Sequence, residues 1–275
     1  MDRSIDVNLL NSAMVDEQRS RIRTSTKSSS SIAQIRLVSQ HPEVYEPCDD
    51  SFALVDALLA DRTNILNMRP RFCLEVGSGS GYVTASLAIM LNQDSSVHYF
   101  ATDINPHAVE TTSATLAAHG VHSEIICTDI ASGLERHLSG MIDLIVVNPP
   151  YVPTPSEEVG CEGSLLLGQE EDDGVVIDRI LPVVNELLSE KGWLYMVTVT
   201  ENNPSQICSM MRKMGYESRI VVRRSTAEES LHVIKFWREA TGDVKHEGKV
   251  SSSGSYSWLP QFPLLSFFRN NGNSS

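Results

Sequence analysis

The chain has 275 residues, 41% of them hydrophobic, and a formal net charge of −13 at pH 7 from 22 basic and 35 acidic side chains. This length suits one well-buried domain with tails rather than two full domains. The charge opposes nonspecific binding to phosphate backbones, and the apolar runs fall short of the ~20 residues of a membrane-spanning helix. We therefore expect no membrane partner and count the charge against a nucleic-acid partner.

The two ends of the chain differ in composition from its middle. Residues 1–40 are rich in Ser, Thr and Arg, and residues 240–275 are polar and Ser/Gly-rich before a final apolar patch. Both segments are predicted to be disordered, which leaves residues 41–239 as a catalytic domain. The five cysteines show no Cys-x-x-Cys spacing, so they fit reduced thiols and no metal site is expected. The expected location is the cytoplasm, with the nucleus as an alternative.

Between these segments, short β-rich apolar runs alternate with helical patterns, which is typical of parallel strands joined by crossover helices. The predicted strands are Arg71–Val76, Val97–Asp103, Ser123–Thr128, Ile142–Val147, Trp193–Thr200, Ser218–Arg223 and Leu231–Trp237. The predicted helices are Ser51–Ala60, Tyr82–Asn92, Pro106–His119, Gly174–Ser189 and Pro204–Met214. The segment 224–230 is too short for a crossover helix, so the last two strands should pair antiparallel. The sequence predicts an α/β, doubly wound fold with a mostly parallel seven-stranded sheet and one antiparallel strand near the C-terminal end.

A glycine-rich turn follows the first predicted strand. Gly77, Gly79 and Gly81 allow the backbone to pass tightly beneath a ligand at the carboxyl end of that strand. The motif alone leaves several nucleotide-type ligands open, and an ordinary strand-to-helix turn would also explain it. Glu75, just before the glycines, favours a cationic sulfonium cofactor over a pyrophosphate.

The next two strand ends supply further contacts to an adenosine. Asp103 is placed to accept hydrogen bonds from a ribose diol, and Asp129 to reach an adenine amino group. Ile104 and Ile130 are available to sandwich the base. Each aspartate singly could instead be a helix cap or turn residue, but their succession after neighbouring strands predicts S-adenosyl-L-methionine as the cofactor.

The fourth strand ends in Asn148, Pro149, Pro150 and Tyr151, the most specific motif in the chain. The Asn148 side-chain oxygen and the Pro149 carbonyl can each accept one N–H of a planar NH₂ group. Tyr151 can pack against the flat face of that group. We interpret Asn148, Pro149 and Tyr151 as catalytic, the whole motif as the substrate-binding loop, and Asn148 also as a cofactor contact. A rigid Pro-Pro turn without a catalytic role is the structural alternative.

With these motifs, the chain resembles the HemK-type release-factor glutamine methyltransferases, a class I methyltransferase family, and most of all their eukaryotic and archaeal branch. Residues 44–47 and 50–52 resemble the entry motif of that branch, in which the residue matching Ser51 touches the cofactor. The resemblance implies N5-methylation of the glutamine in the Gly-Gly-Gln motif of a class I translation termination factor. It also implies a small zinc-binding activator subunit as a partner.

Three alternatives remain open. Adenine N6 in nucleic acid presents the same planar NH₂ group, although the acidic charge and the lack of room for a base-reading domain count against it. The resemblance also leaves protein lysine methylation possible. A catalytically weakened scaffold is the third alternative, because residues 161–173 depart from the family pattern beside the expected substrate mouth.

Overall fold

The structure is a computed structural model that describes residues 31–150, 174–225 and 230–239. Several predictions concern residues outside these ranges: the expected disorder of residues 1–30 and 240–275, the role of Tyr151, and the departure of residues 161–173 from the family pattern. Across the described ranges, no helix is long and apolar enough to cross a membrane.

Within the described part of the chain, seven strands form one sheet in the order β3-β2-β1-β4-β5-β7-β6. The strands are Phe72–Val76 (β1), His98–Asp103 (β2), Glu124–Cys127 (β3), Ile142–Val147 (β4), Leu188–Val199 (β5), Glu217–Ser225 (β6) and Ser230–Trp237 (β7). Strands β1 to β5 pair in parallel, whereas β7 pairs antiparallel with both β5 and β6. The predicted fold class and the antiparallel hairpin are confirmed, and the reversed strand lies between β5 and β6.

Helices pack on both faces of this sheet. They are Asp49–Ala60 (α1), Arg62–Met68 (α2), Tyr82–Met90 (α3), Pro106–Ala118 (α4), Glu135–Leu138 (α5), Gly174–Leu187 (α6) and Pro204–Lys213 (α7), with 3-10 turns at Ile35–Leu37 and Thr200–Asn202. Neighbouring residues along each strand face opposite layers: Cys73 belongs to the core under α1 and α3, and Leu74 to the core under α6 and α7. The doubly wound architecture therefore has two apolar layers with the sheet between them.

Two helices were not predicted, and one strand starts earlier than predicted. α2 and α5 are a seven-residue and a four-residue helix, too short for a hydrophobic period to be visible in the sequence. β5 begins at Leu188, where the sequence predicted the end of a helix. Gly192 permits this, because a Cβ there would lie 2.7 Å from the Ile142 carbonyl oxygen, next to a register shift between β4 and β5.

The predicted domain start at residue 41 is wrong for the described residues before it. Ala33 is only 4% exposed and belongs to the apolar core, and its backbone N–H donates to Ser86 Oγ at 3.2 Å. Further along, the Ser39 N–H donates to Thr115 Oγ1 at 2.9 Å. The polar composition of this stretch suggested disorder, but its few apolar side chains and its backbone pack against α3 and α4.

Candidate active site

The predicted site residues meet at the carboxyl edge of the parallel strands. In the sheet register, Val76 of β1 lies beside Thr102 of β2 on one side and Val147 of β4 on the other. The next residues along these strands are Gly77, Asp103 and Asn148. The structure therefore brings the glycine turn, the predicted ribose ligand and the predicted catalytic asparagine to three adjacent strand ends.

The glycine turn is fixed by backbone hydrogen bonds and leaves open space above it. The N–H groups of Gly77 and Ser78 donate to the Thr102 carbonyl oxygen at 2.8 and 2.9 Å. Gly77 and Gly79 have φ values of +74° and +49°, in the left-handed region that favours glycine. Among the described residues, a Cβ on Gly79 would have no atom within 4 Å, and one on Gly77 would meet only the Asn148 carbonyl oxygen at 4.0 Å. A ligand could therefore approach this backbone closely.

Gly81 contributes to the packing of two helices. Its φ is +75°, and a Cβ there would lie 2.9 Å from the Cα of Thr112 on α4. The contact is with backbone, which cannot move aside cheaply. Gly81 therefore lets the start of α3 lie directly against α4.

Replacing Gly81 with alanine is expected to destabilise the protein by about 2–4 kcal/mol, from left-handed strain plus the steric conflict with Thr112. Gly120→Ala is the matched control, since Gly120 also has a positive φ of +66° but no atom within 4 Å of the added Cβ. The control should cost only about 1–2 kcal/mol. Urea unfolding measures both, and equal losses would contradict the packing role.

Asp103 connects the ribose position to the glycine turn. Its Oδ2 accepts the Gly79 N–H at 2.8 Å, and its Oδ1 accepts the Asn105 N–H at 2.9 Å. Burial raises the pKa of this carboxyl, and the N–H donors act in the opposite direction. A carboxylate has about four acceptor positions, and the N–H groups of Gly79, Asn105 and Ile104 use three of them, so one remains for a ribose hydroxyl. Asp103 thus holds the turn as well as offering an acceptor to a ligand.

Glu75 lies beneath the turn and is 4% exposed. Its Oε2 accepts hydrogen bonds from the Thr84 hydroxyl and, at 2.9 Å, from the Thr84 N–H in the first turn of α3. Burial raises the pKa of Glu75 to about 8, the Thr84 hydrogen bonds lower it, and the Asp103 charge raises it. Glu75 therefore joins β1 to α3, while its contact with the cationic end of a cofactor remains a prediction.

The buried Glu75 carboxyl predicts a pH dependence of stability. Its folded pKa of about 8 lies above the ordinary value of 4.5, so the folded state binds an extra proton between these pH values. Stability should therefore fall as pH rises from about 4.5 to about 8. Glu75→Gln keeps the acceptor for Thr84 without this titration, so its stability relative to the unmodified chain should increase across that window. Urea unfolding at several pH values tests this, and a constant difference between the two proteins would refute it.

The predicted adenine contacts have other partners in this structure. Asp129 is half-exposed and forms an ion pair with Arg179 of α6. Ile130 has a φ of +53°, and its carbonyl oxygen accepts the Thr102 hydroxyl at 2.6 Å. Both Ile104 and Ile130 are partly buried. Arg179 lies far along the sequence from Asp129, and no motif indicated their pairing.

Ser51 lies in the first turn of α1, where its N–H and hydroxyl both contact Asp50 Oδ1. Nearby, Phe52 packs edge-on against Tyr82 at 5.6 Å between ring centroids, which joins α1 to the helix that follows the glycine turn. Cofactor contact by Ser51 stays a prediction from the family resemblance.

The Asn148 loop carries an unused acceptor. Within the described ranges, the Asn148 Oδ1 atom is buried and has no hydrogen-bond partner. Pro149 is buried and Pro150 is exposed. Leaving a buried amide oxygen without a donor costs about 1–3 kcal/mol, so such an atom usually has a partner in the functional state. An N–H group of a bound substrate would supply that partner.

Sequence analysis missed the threonines that support this site. Thr112 Oγ1 donates to the Gly79 carbonyl oxygen at 3.0 Å and can accept from the Ser78 hydroxyl, also at 3.0 Å. Thr111, Thr112 and Thr115 are buried on α4. Polar side chains repeating at helical spacing on a buried face were the available signal, because a buried hydroxyl needs a partner.

Comparison with known proteins identifies the family. The methyltransferase small domain model matches residues 48–225. Human methyltransferase HEMK2 is 42% identical over 195 residues, covering 70% of this chain and 89% of the human protein. The chain belongs to the HEMK2 methyltransferases. The family suggested by the glycine turn and the Asn148 loop is confirmed, as is methyltransferase activity.

Other relatives extend the HEMK2 similarity. The eRF1 methyltransferase catalytic subunit mtq2 of Schizosaccharomyces pombe is 28% identical over 219 residues, covering 75% of this chain and 94% of the yeast protein. Among solved structures, Mtq2 of E. cuniculi in complex with Trm112 has a TM-score of 0.52 and 24% identity, covering 71% of this chain and 99% of its own. That structural similarity supports the fold.

Proposed function

We propose that this enzyme transfers a methyl group to the side-chain nitrogen (N5) of the glutamine in the Gly-Gly-Gln motif of a class I translation termination factor. The observation that carries the proposal is the buried, unpaired Asn148 Oδ1 at the end of β4. Relatives support the substrate class: one is named an eRF1 methyltransferase subunit, and another, from Methanocaldococcus jannaschii, a putative protein N5-glutamine methyltransferase.

The methyl donor is S-adenosyl-L-methionine, whose sulfonium carries the methyl group that nitrogen receives. The described residues fit this cofactor. Within the residues that the structure describes, nothing lies closer than 4.0 Å to a Cβ built at Gly77 or Gly79, and Asp103 retains an acceptor position for a ribose hydroxyl. These features lie on the strands beside Asn148, so cofactor and substrate would meet at one sheet edge.

Asn148 and Pro149 position the substrate nitrogen. An amide nitrogen is a poor nucleophile because its lone pair is delocalised into the carbonyl group. Asn148 Oδ1 and the Pro149 carbonyl oxygen can each accept one N–H, which orients the nitrogen toward the methyl group. As the nitrogen–methyl bond forms, the sulfur–methyl bond of the bound cofactor would break to leave a neutral thioether, and the nitrogen would release one proton to solvent. The substrate nitrogen is itself the nucleophile, so no side-chain nucleophile is needed. Tyr151 is proposed to cover the flat face of the amide.

We further propose a small zinc-binding subunit as a partner. The Mtq2 structure from E. cuniculi is a complex with Trm112, and the yeast relative is named as a catalytic subunit. Co-expression with such a subunit, followed by comparison of soluble yield and turnover with the chain alone, tests this partner.

The substrate proposal is tested by offering labelled S-adenosylmethionine with a termination factor, duplex DNA and a histone in parallel. Label on the glutamine of the Gly-Gly-Gln motif is the expected result. Label on adenine or lysine would establish one of the alternatives. Absence of label from all three, with cofactor binding intact, would favour a scaffold.

Replacing Asp103 with alanine is expected to weaken S-adenosylmethionine binding by ~1–3 kcal/mol, through lost hydrogen bonds to a charged acceptor. Isothermal titration calorimetry measures the change. Asp94→Ala is the control, because Asp94 is an exposed loop residue whose carboxylate accepts the N–H of nearby Ser96. Unchanged affinity in Asp103→Ala would mean that the ribose binds elsewhere.

A further inference from the structure

A second concave site lies at the opposite edge of the sheet from Asn148. A cavity of about 540 Å³ is lined by residues of α2, the start of β5, β6 and the end of β7. Its residue Trp193 pairs with Leu144 of β4, three positions before Val147 in the same register. The cavity is therefore separate from the proposed methyl-transfer site, and its volume lies in the range of small-molecule sites.

The apolar part of this cavity is aromatic. Trp193 of β5 and Trp237 of β7 are direct register partners, so their side chains lie on the same face of the sheet. Both indole rings are only partly buried. Met68 of α2 also lines the cavity. Two neighbouring indoles that line one cavity offer apolar ring surface to an aromatic ligand.

The polar part of the cavity is basic, although the whole chain is acidic. Lys191, Arg219, Lys235 and Arg238 line it, and Glu190 is its acidic residue. A surplus of basic side chains in a partly enclosed site raises the local concentration of anions.

Lys235 has a close ion-pair partner within the protein, whereas the ion pair of Arg219 is longer. Lys235 Nζ lies 2.6 Å from Asp61 Oδ2 and 3.1 Å from the Trp193 ring centroid, so its charge is already compensated. The Arg219 side chain is 60% exposed, and its nearest ion-pair partner in the described residues is Asp61 Oδ1 at 4.0 Å. Arg219 therefore keeps donors available to a ligand, in the planar geometry that suits carboxylate or phosphate.

We propose that this cavity binds a small organic anion that carries a flat aromatic ring, with the ring against the Trp193–Trp237 pair and the anionic group on Arg219. A mononucleotide and an aromatic carboxylate share this chemistry. Lys235 lines the site, pairs with the buried Asp61 and places its ammonium over the Trp193 ring. This inference does not depend on the proposed substrate of methylation.

The test is calorimetric titration of the full-length chain after its cofactor site has been saturated with S-adenosylhomocysteine, so that a nucleotide cannot bind there. The probes are guanosine 5′-monophosphate, indole-3-acetate, guanosine and inorganic phosphate. We expect at least one of the two ring-bearing anions to bind, and guanosine and phosphate each to bind at least about tenfold more weakly. Which anion binds distinguishes the two sources.

Arg219→Ala should weaken that binding by about tenfold or more, the loss expected for a charged hydrogen bond. The matched control is Arg223→Ala, an exposed arginine of the same strand about 13 Å further along, which should leave affinity unchanged. Neither side chain is buried, so both variants should fold. The proposal fails if neither ring-bearing anion binds, if guanosine binds as tightly, or if the two arginine variants behave alike.

Discussion

Asn148→Ala is expected to lower kcat for methyl transfer by about 10²–10³-fold, because it removes one of the two acceptors that orient the substrate nitrogen. Affinity for S-adenosylmethionine should stay within a few fold of the unmodified enzyme. The Asn148 oxygen has no partner in the described part of the chain, so its removal breaks no hydrogen bond of the fold described here. The measurements are single-turnover transfer to the termination factor and calorimetric cofactor binding.

Asn67→Ala serves as the control for this experiment. Asn67 is an exposed residue of α2, remote in the fold from the carboxyl edge of the sheet, so turnover should be unaffected. Undiminished turnover in Asn148→Ala would refute the assignment of this residue to substrate positioning. A parallel loss of cofactor affinity and turnover would instead place Asn148 in the cofactor site.

Lys235→Met is expected to destabilise the fold by about 3–5 kcal/mol, because it leaves the Asp61 carboxylate buried without its nearest counter-charge. The two side chains are 8% and 4% exposed, and Asp61 also accepts the Tyr195 hydroxyl at 2.5 Å. The double variant Lys235→Met/Asp61→Asn removes both charges and should recover part of the loss. Urea unfolding at constant m-value measures each change.

The surface pair of Arg179 and Asp129 provides the comparison. Its side chains are 53% and 44% exposed, so Arg179→Met should cost less than about 1 kcal/mol. If Lys235→Met costs no more than Arg179→Met, the buried pair does not contribute as described. If the double variant is no more stable than Lys235→Met, the loss comes from packing rather than from an uncompensated charge.

Features that depend on neighbouring residues in the chain could be predicted from the sequence. Strand β1, the glycine turn and helix α3 follow from an apolar run, three glycines and a helical period. Because parallel strands place their carboxyl ends at one edge, the sequence could also predict that Gly77, Asp103 and Asn148 would meet there.

Other features depend on contacts between distant residues, which one sequence does not reveal. The bond from Gly79 N–H to Asp103 and the pairing of Asp129 with Arg179 are set by the folded geometry. The polar composition of residues 31–40 predicted disorder. In the structure this stretch packs against the domain through a small buried side chain, Ala33. Glu75 was predicted as a cofactor neighbour, but its buried bond to Thr84 could be seen only once α3 was placed.

The position of β7 has a consequence for how the domain is completed during synthesis. Of the strands in the described part of the chain, β7 leaves the ribosome last, yet it lies between β5 and β6 and pairs with both. Until Trp237 has emerged, the edge of β5 that later pairs with β7 has no partner strand. In the nascent chain, β6 could pair with this edge in place of β7. A ribosome paused shortly before residue 237 would therefore hold an unfinished sheet with an exposed edge, the state in which a chaperone or an early partner is most needed.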